Sequence, residues 1–146
     1  MMRFTRTPQT LALLKLIPLF SGLSERHLKA IARAANEVIV VQGKVLTRQG
    51  ETGDELILIA DGTASVKANG KELARRGSGD VIGEMGLIDG RPRSATVTAE
   101  TSMTLLVIER RAFNKLLDEI PGLARKLLVE LSSRLREADE ALAGRD

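Results

Sequence analysis

The chain has 146 residues, 43% of them hydrophobic and 28% charged, with a formal net charge of +3. One domain is expected, large enough to bury roughly two thirds of the surface its unfolded chain exposes. No cysteine is present and His27 is the single histidine, which excludes disulfides, thiol catalysis and zinc-thiolate sites and leaves no histidine cluster for a metal. With no Trp or Tyr and three Phe, the core must be aliphatic, and an aromatic platform for stacked bases is largely missing. Acids and bases are interspersed without a Lys/Arg block, so no nucleic-acid-binding patch is expected.

At the N-terminus, Arg3 and Arg6 precede the apolar run from Leu11 to Ile17, superficially like a signal peptide. Lys15 interrupts that run and Pro8 and Pro18 bracket it, which favours a short amphipathic helix with Leu11, Leu14 and Ile17 on one stripe. No stretch approaches the ~18 apolar residues of a membrane span, and a cytoplasmic protein is the expectation. Leu19 to Leu23 reads as a turn. Ser24 then reads as an N-cap with Glu25 in the first turn of a helix whose buried face is Leu28, Ile31, Ala32 and Ala35. His27 flanks that stripe and is expected at the surface.

From Val38 the period changes to two. Val38 to Val41, Val45-Leu46, Leu56 to Ile59, Ala64 to Ala68, Lys71 to Arg76, Val81-Ile82, Ala95 to Glu100 and Met103 to Glu109 read as short strands punctuated by glycine. Asn69-Gly70 is the strongest hairpin signal. Close, regular spacing of this kind indicates a β-roll or small barrel. The pattern then reverts to helix: Ala112, Phe113, Leu116 and Leu117 mark a short one that Ile120-Pro121-Gly122 ends, and a longer one runs from Leu123 to about Ala143. Leu128, Leu131, Leu135, Ala138 and Leu142 give it a heptad-like seam. One part of that seam is expected to cover the roll; the rest suits a partner helix or an intramolecular role.

The stretch Gly83 to Ala95 carries the chemistry. Gly83, Gly86 and Gly90 let the backbone approach a ligand or take φ > 0. A helical turn after Gly83 would aim free N–H groups at an anion. Arg93 offers a planar fork of donors suited to phosphate oxygens, and Glu84 can accept from a sugar hydroxyl. Together they offer recognition of a phosphate joined to a sugar. Taken singly, the same residues also describe a β–turn–β connection with a surface Glu and a surface Arg.

Gly83-Glu84-Met85-Gly86-Leu87 followed by Arg93-Ser94-Ala95 resembles the phosphate-binding cassette of cyclic nucleotide-binding domains, the family of kinase regulatory subunits, nucleotide-gated channels and the bacterial catabolite activator. Pro18-Leu19-Phe20, Leu23-Ser24, Gly43, Gln49-Gly50-Glu51, Gly53-Asp54 and Gly62 extend the resemblance over nearly the whole chain. Ile82 departs from it, an aromatic being common there.

The resemblance implies an α+β fold. An eight-stranded antiparallel, jelly-roll-like β-roll (37–109, cassette 83–95) would lie between N-terminal helices (1–36) and two C-terminal helices (110–146). It implies no enzyme and no cofactor, but a regulatory sensor that binds a 3′,5′-cyclic nucleotide and relays binding through its C-terminal helices. Arg93 and amides near Gly86 and Leu87 would take the cyclic phosphate and Glu84 the ribose 2′-hydroxyl. Met85 and Ala95 would complete the cassette. Ser94 would place a hydroxyl near the phosphate or a syn guanine, Val66 would line the purine side, and Arg134 would contact the base. Leu131 or Leu135 would cap the base in place of an aromatic lid. Ser94 rather than threonine favours cAMP over cGMP. Ala138 stands where the activator's helix has a threonine, which bears against base contacts from a neighbouring subunit. Other readings are a dimerisation or interaction module with a vestigial pocket, and the sensor part of a transcription regulator lacking its DNA-binding domain. A homodimer through the last helix and an effector domain or protein are the macromolecular partners these readings suggest.

Overall fold

The structure, a computed structural model, describes residues 3–5, 9–83, 86 and 89–144. Helix α1 (Gln9–Leu14) leads through a 3-10 turn (Pro18–Phe20) to α2 (Glu25–Ala34). The strands follow: β2 (Ala35–Val40), β3 (Val45–Thr47), β4 (Glu55–Asp61), β5 (Ala64–Ala68), β6 (Lys71–Arg76), β7 (Val81–Ile82), β8 (Thr96–Ala99) and β9 (Met103–Glu109). Helices α3 (Arg110–Glu119) and α4 (Leu123–Ala143) close the chain. These eight strands are the ones the glycine-punctuated runs predict, in the same order, and they form the expected antiparallel β-roll.

A further strand, β1 (Arg3–Thr5), corrects the expectation that 1–36 supplies helices alone. It pairs antiparallel with β2, Phe4 opposite Val38, and makes a five-stranded sheet of order β1-β2-β9-β4-β7. Three residues are too few for a period of two to register. The second sheet has the order β3-β8-β5-β6. A smaller correction concerns Ala35, expected on the buried face of the helix. It is extended (φ −93°, ψ 143°) and pairs with Ile108, so β2 begins there. Alanine favours helix by propensity, and pairing with β9 overrides it.

The five-stranded sheet is covered on both faces, which is why β4 and β9 read as unbroken apolar runs rather than alternating ones. Leu56, Leu58, Leu106 and Ile108 face the helices, packing with Phe20, Ile31, Phe113 and Leu127. Ile57, Ile59, Leu105 and Val107 face the interior of the roll with Val38, Ile82 and Val97. Local signals hold at both ends of this frame. Ser24 caps α2, its Oγ accepting from the His27 amide at 3.2 Å. Asn69 and Gly70 take positive φ (53° and 78°), the geometry that lets a two-residue hairpin follow the strand twist.

Along α4 the apolar positions divide. Leu123 and Leu127 are buried and Leu131 packs at the edge of the helix-side core, whereas Leu128, Leu135 and Leu142 are 63–65% exposed. Among the described residues, no helix is long and apolar enough to cross a membrane.

Phe113 is fully buried where α3 meets the five-stranded sheet and α2. Phe113→Ala should lower the unfolding free energy by about 3–5 kcal/mol, read as a lower urea midpoint at unchanged slope.

Candidate functional site

The site is built around how Arg93 is held. The β3–β4 connection runs alongside it: the Arg93 amide donates to the Glu51 carbonyl at 2.8 Å, and the Gly50 amide donates to the Arg93 carbonyl at 2.8 Å. The same strip continues to either side. Thr47 Oγ1 donates to the Ala95 carbonyl at 3.1 Å, and the Gln49 amide donates to Thr96 Oγ1 at 2.9 Å. Gln49 and Asn69 also exchange hydrogen bonds of 3.0 and 2.9 Å, which ties the strip to the β5–β6 hairpin.

The guanidinium itself lies in a slot between two glycines. A Cβ placed on Gly53 or on Gly83 would overlap it, and Nη2 donates to the Glu55 carbonyl at 2.9 Å. Gly83 takes φ +90°, so that position favours glycine twice, by backbone angle and by space. The sequence shows Gly53 only as a turn residue; its packing against a residue forty positions away leaves no local mark.

A cavity of about 280 Å³ opens beside this slot. Of the residues expected to bind ligand, the structure brings together Gly83, Gly86, Arg93, Ser94, Ala95, Val66 and Arg134 in its lining. Glu84, Met85 and Leu87 lie outside the described residues. Ile82 and Val97 add an apolar wall, and Val66 and Val97 are cross-strand partners on β5 and β8. Thr47, Arg76, Asp89, Arg91 and Pro92 also line the cavity and were not anticipated. Val97 continues the inward alternation that begins at Ala95 and was there to be found; Arg76 sits in a polar strand with no such signal. Leu131 and Leu135 are not in the lining: Leu131 packs on the helix-side core and Leu135 is exposed.

Four arginines and one described acid, Asp89, line this cavity, and Glu137 and Glu130 pair with Arg76 and Arg134 from outside the lining. A larger cavity of about 960 Å³ shares Thr47 and Arg93 with it. There Arg48, Arg93, Arg110 and Arg111 are matched by Glu51, Asp54, Glu55 and Glu109, so its charge balances. Among the described residues, no group of three or more His, Asp or Glu side chains is placed to hold a metal.

Helix α4 reaches the cavity through Arg134, whose guanidinium donates to the Val81 carbonyl and whose Nε lies 3.3 Å from Glu130. One turn further on, Glu137 takes Arg76 Nη1 at 3.1 and 3.2 Å.

The cyclic nucleotide-binding domain family model matches residues 23–120. The chain belongs to that family. A cyclic nucleotide-gated potassium channel of Rhizobium etli is 39% identical over 111 residues, 76% of this chain and 31% of the channel. A cyclic AMP receptor protein of Thermus thermophilus is 35% identical over 127 residues, 84% of this chain and 59% of that protein. The chain thus spans about a third to under two thirds of the length of these relatives. Among solved structures, a cyclic nucleotide-binding domain from Methylobacillus flagellatus superposes with a TM-score of 0.83 at 27% identity, over 99% of this chain and 89% of that one. The Thermus thermophilus catabolite activator protein gives 0.76 at 34% identity, over 86% and 62%. Cyclic nucleotide-binding domains are regulatory sensor modules rather than catalytic ones.

Gly53→Ala should displace the Arg93 guanidinium while leaving the roll intact, because the overlap is with a side chain and not with backbone. The Arg93 Nε–H resonance should shift or broaden, with the amide resonances of β4 and β9 unchanged.

Proposed function

We propose that this domain senses a 3′,5′-cyclic nucleotide, cAMP ahead of cGMP, in the cavity beside Arg93. One observation carries the reading: the Arg93 guanidinium is seated between two glycines at the edge of an arginine-lined cavity that has an apolar wall. The cyclic phosphate would meet Arg93, Ser94 and the amides of the 83–95 segment. Glu84 would take the ribose 2′-hydroxyl, with Met85, Leu87 and Ala95 completing the cradle. The purine would lie along Val66, Ile82 and Val97, towards Arg134. The lean to cAMP is supported by Ser94 and by relatives named for cAMP. These include the Thermus receptor protein and a cAMP-dependent protein kinase regulatory subunit of Schizosaccharomyces pombe, 36% identical over 78% of this chain and 28% of that protein.

Relay through the C-terminal helices belongs to the same reading. Gly122, at φ +84°, joins α3 to α4 and is placed to act as a hinge. Beyond it α4 touches the cavity through Arg134 and, by way of Glu137, Arg76. Effector domains or proteins would read the position of that helix.

Thermal unfolding with each nucleotide tests this directly. At roughly 100 times its dissociation constant, a ligand specific to the native state adds about 2.7 kcal/mol, a rise of roughly 5–11 °C for a chain of this size. Arg93→Leu should weaken binding by roughly thirty-fold to several thousand-fold, the cost of removing one partner of a desolvated charge pair. No shift with either nucleotide, or an Arg93→Leu affinity within a few-fold of wild type, defeats the reading.

A specific observation also favours a homodimer. Leu128, Leu135 and Leu142 recur every seven residues on α4 and are all exposed, the spacing of a two-helix seam. Sedimentation should show a dimer that Leu135→Glu with Leu142→Glu converts to monomer; a wild-type monomer at millimolar concentration rules the seam out.

A further inference from the structure

The part of the cavity lining that does not come from the 83–95 segment holds three polar side chains: Thr47 on β3, Arg76 on β6 and Arg134 on α4. Two of them are committed inside the protein. Thr47 Oγ1 donates to the Ala95 carbonyl, and the Arg134 guanidinium donates to the Val81 carbonyl beside Glu130. Arg76 differs. Its Nη1 is taken by Glu137, but its Nε is buried and has no acceptor among the described residues. The side chain as a whole is 15% exposed. A buried guanidinium N–H without an acceptor carries a desolvation penalty; Nε is closed to solvent as it stands, so a ligand acceptor removes that penalty once the side chain turns Nε toward the cavity.

We propose that Arg76 reads the base of the bound nucleotide, donating from Nε to a ring nitrogen of the purine. The inference rests on the cyclic nucleotide reading above and extends it to a residue to which that reading gives no ligand contact. Position and charge select the base over the phosphate. Arg76 pairs with Ala64 of β5 in the four-stranded sheet that also carries Val66, the residue expected along the purine. Glu137 neutralises its Nη1 side, so the Arg76–Glu137 pair presents a directed donor with little net charge. Such a donor suits an uncharged acceptor and leaves the anion to Arg93. Because only a donor is offered, it demands a lone pair, which a purine ring nitrogen supplies. The grip of Glu137 also connects the base to α4 through a single side chain.

Affinities of the wild-type chain and of Arg76→Met for cAMP and its 1-deaza, 3-deaza and 7-deaza analogues test this. Each analogue replaces one ring nitrogen with C–H. One analogue should bind the wild-type chain about tenfold or more weakly than cAMP does. That same analogue should match cAMP in Arg76→Met. Identical analogue-to-cAMP ratios in both proteins overturn the proposal, as does a wild-type chain that binds all three analogues as well as cAMP, a result that needs no variant to fold. Arg76→Leu replaces the methionine variant should that fail to fold. If cAMP binds and Arg93→Leu abolishes binding while the ratios stay unmoved, only the role of Arg76 falls. If neither cAMP nor cGMP binds the wild-type chain, both readings fall together.

Discussion

The guanidinium of Arg93 is the constraint on which the rest of the site depends, because a planar cation with five donors can be aimed only if something fixes its plane. Here two glycines do so. Gly53 and Gly83 come from segments thirty residues apart, and each leaves open the volume a methyl group would fill. The Glu55 carbonyl then fixes one edge of the fork. Backbone hydrogen bonds from Arg93 to Glu51 and Gly50 hold the main chain in register behind it. The site is therefore not the 83–95 segment alone. It is that segment laced to the β3–β4 connection, and a change in either alters where the charge sits.

That lacing needs a rigid frame, which the doubly covered five-stranded sheet supplies. β4 and β9 pair along most of their length, with helices on one face and roll residues on the other. Ile57 and Ile82 are paired across β4 and β7, so the strand that delivers Gly83 is anchored in the core one residue before the slot. Interiors packed this densely transmit small displacements instead of absorbing them. The positions of Gly53, Glu55 and Gly83 are consequently fixed relative to one another by apolar contacts that never touch the cavity.

Much of this architecture could be read from the sequence, for physical reasons that differ from element to element. Asn69-Gly70 specifies its turn by backbone angle alone, and Ser24 specifies its cap by a hydrogen bond three residues away; both are local, so both show in the string. The unbroken Leu56 to Ile59 run shows burial but not its two-sidedness, which needs the partner layers. β1 was missed because three residues carry no period, and Ala35 because helix propensity competes with a strand it joins only through β9. In the site, Gly83, Arg93 and Ser94 sit in one ordered stretch and were legible as a set. Gly53 and Arg76 were not. What matters about Gly53 is the absence of an atom beside a residue forty positions on, and what matters about Arg76 is a neighbour sixty-one residues away.

The division of α4 bears on how ligand binding could travel. Its first turns are anchored by Leu123 and Leu127, and Leu131 reaches the edge of the same core. From Arg134 onward, the described contacts to the rest of the protein are polar: Arg134 to the Val81 carbonyl and Glu137 to Arg76. Ion pairs with an exposed partner contribute about 0–1 kcal/mol, whereas each fully buried leucine near the start of the helix contributes about 1.5–3 kcal/mol. The distal half of α4 is thus held far more weakly than the proximal half, and one side chain of each tether, Arg134 and Arg76, lines the cavity. Shifting a two-state element fully takes about 5.5 kcal/mol of differential binding. A helix with weak tethers needs its states separated by less than that to respond. On the proposed relay, the weakly tethered part of α4 beyond Leu131 would be the part that ligand binding at the cavity moves most readily.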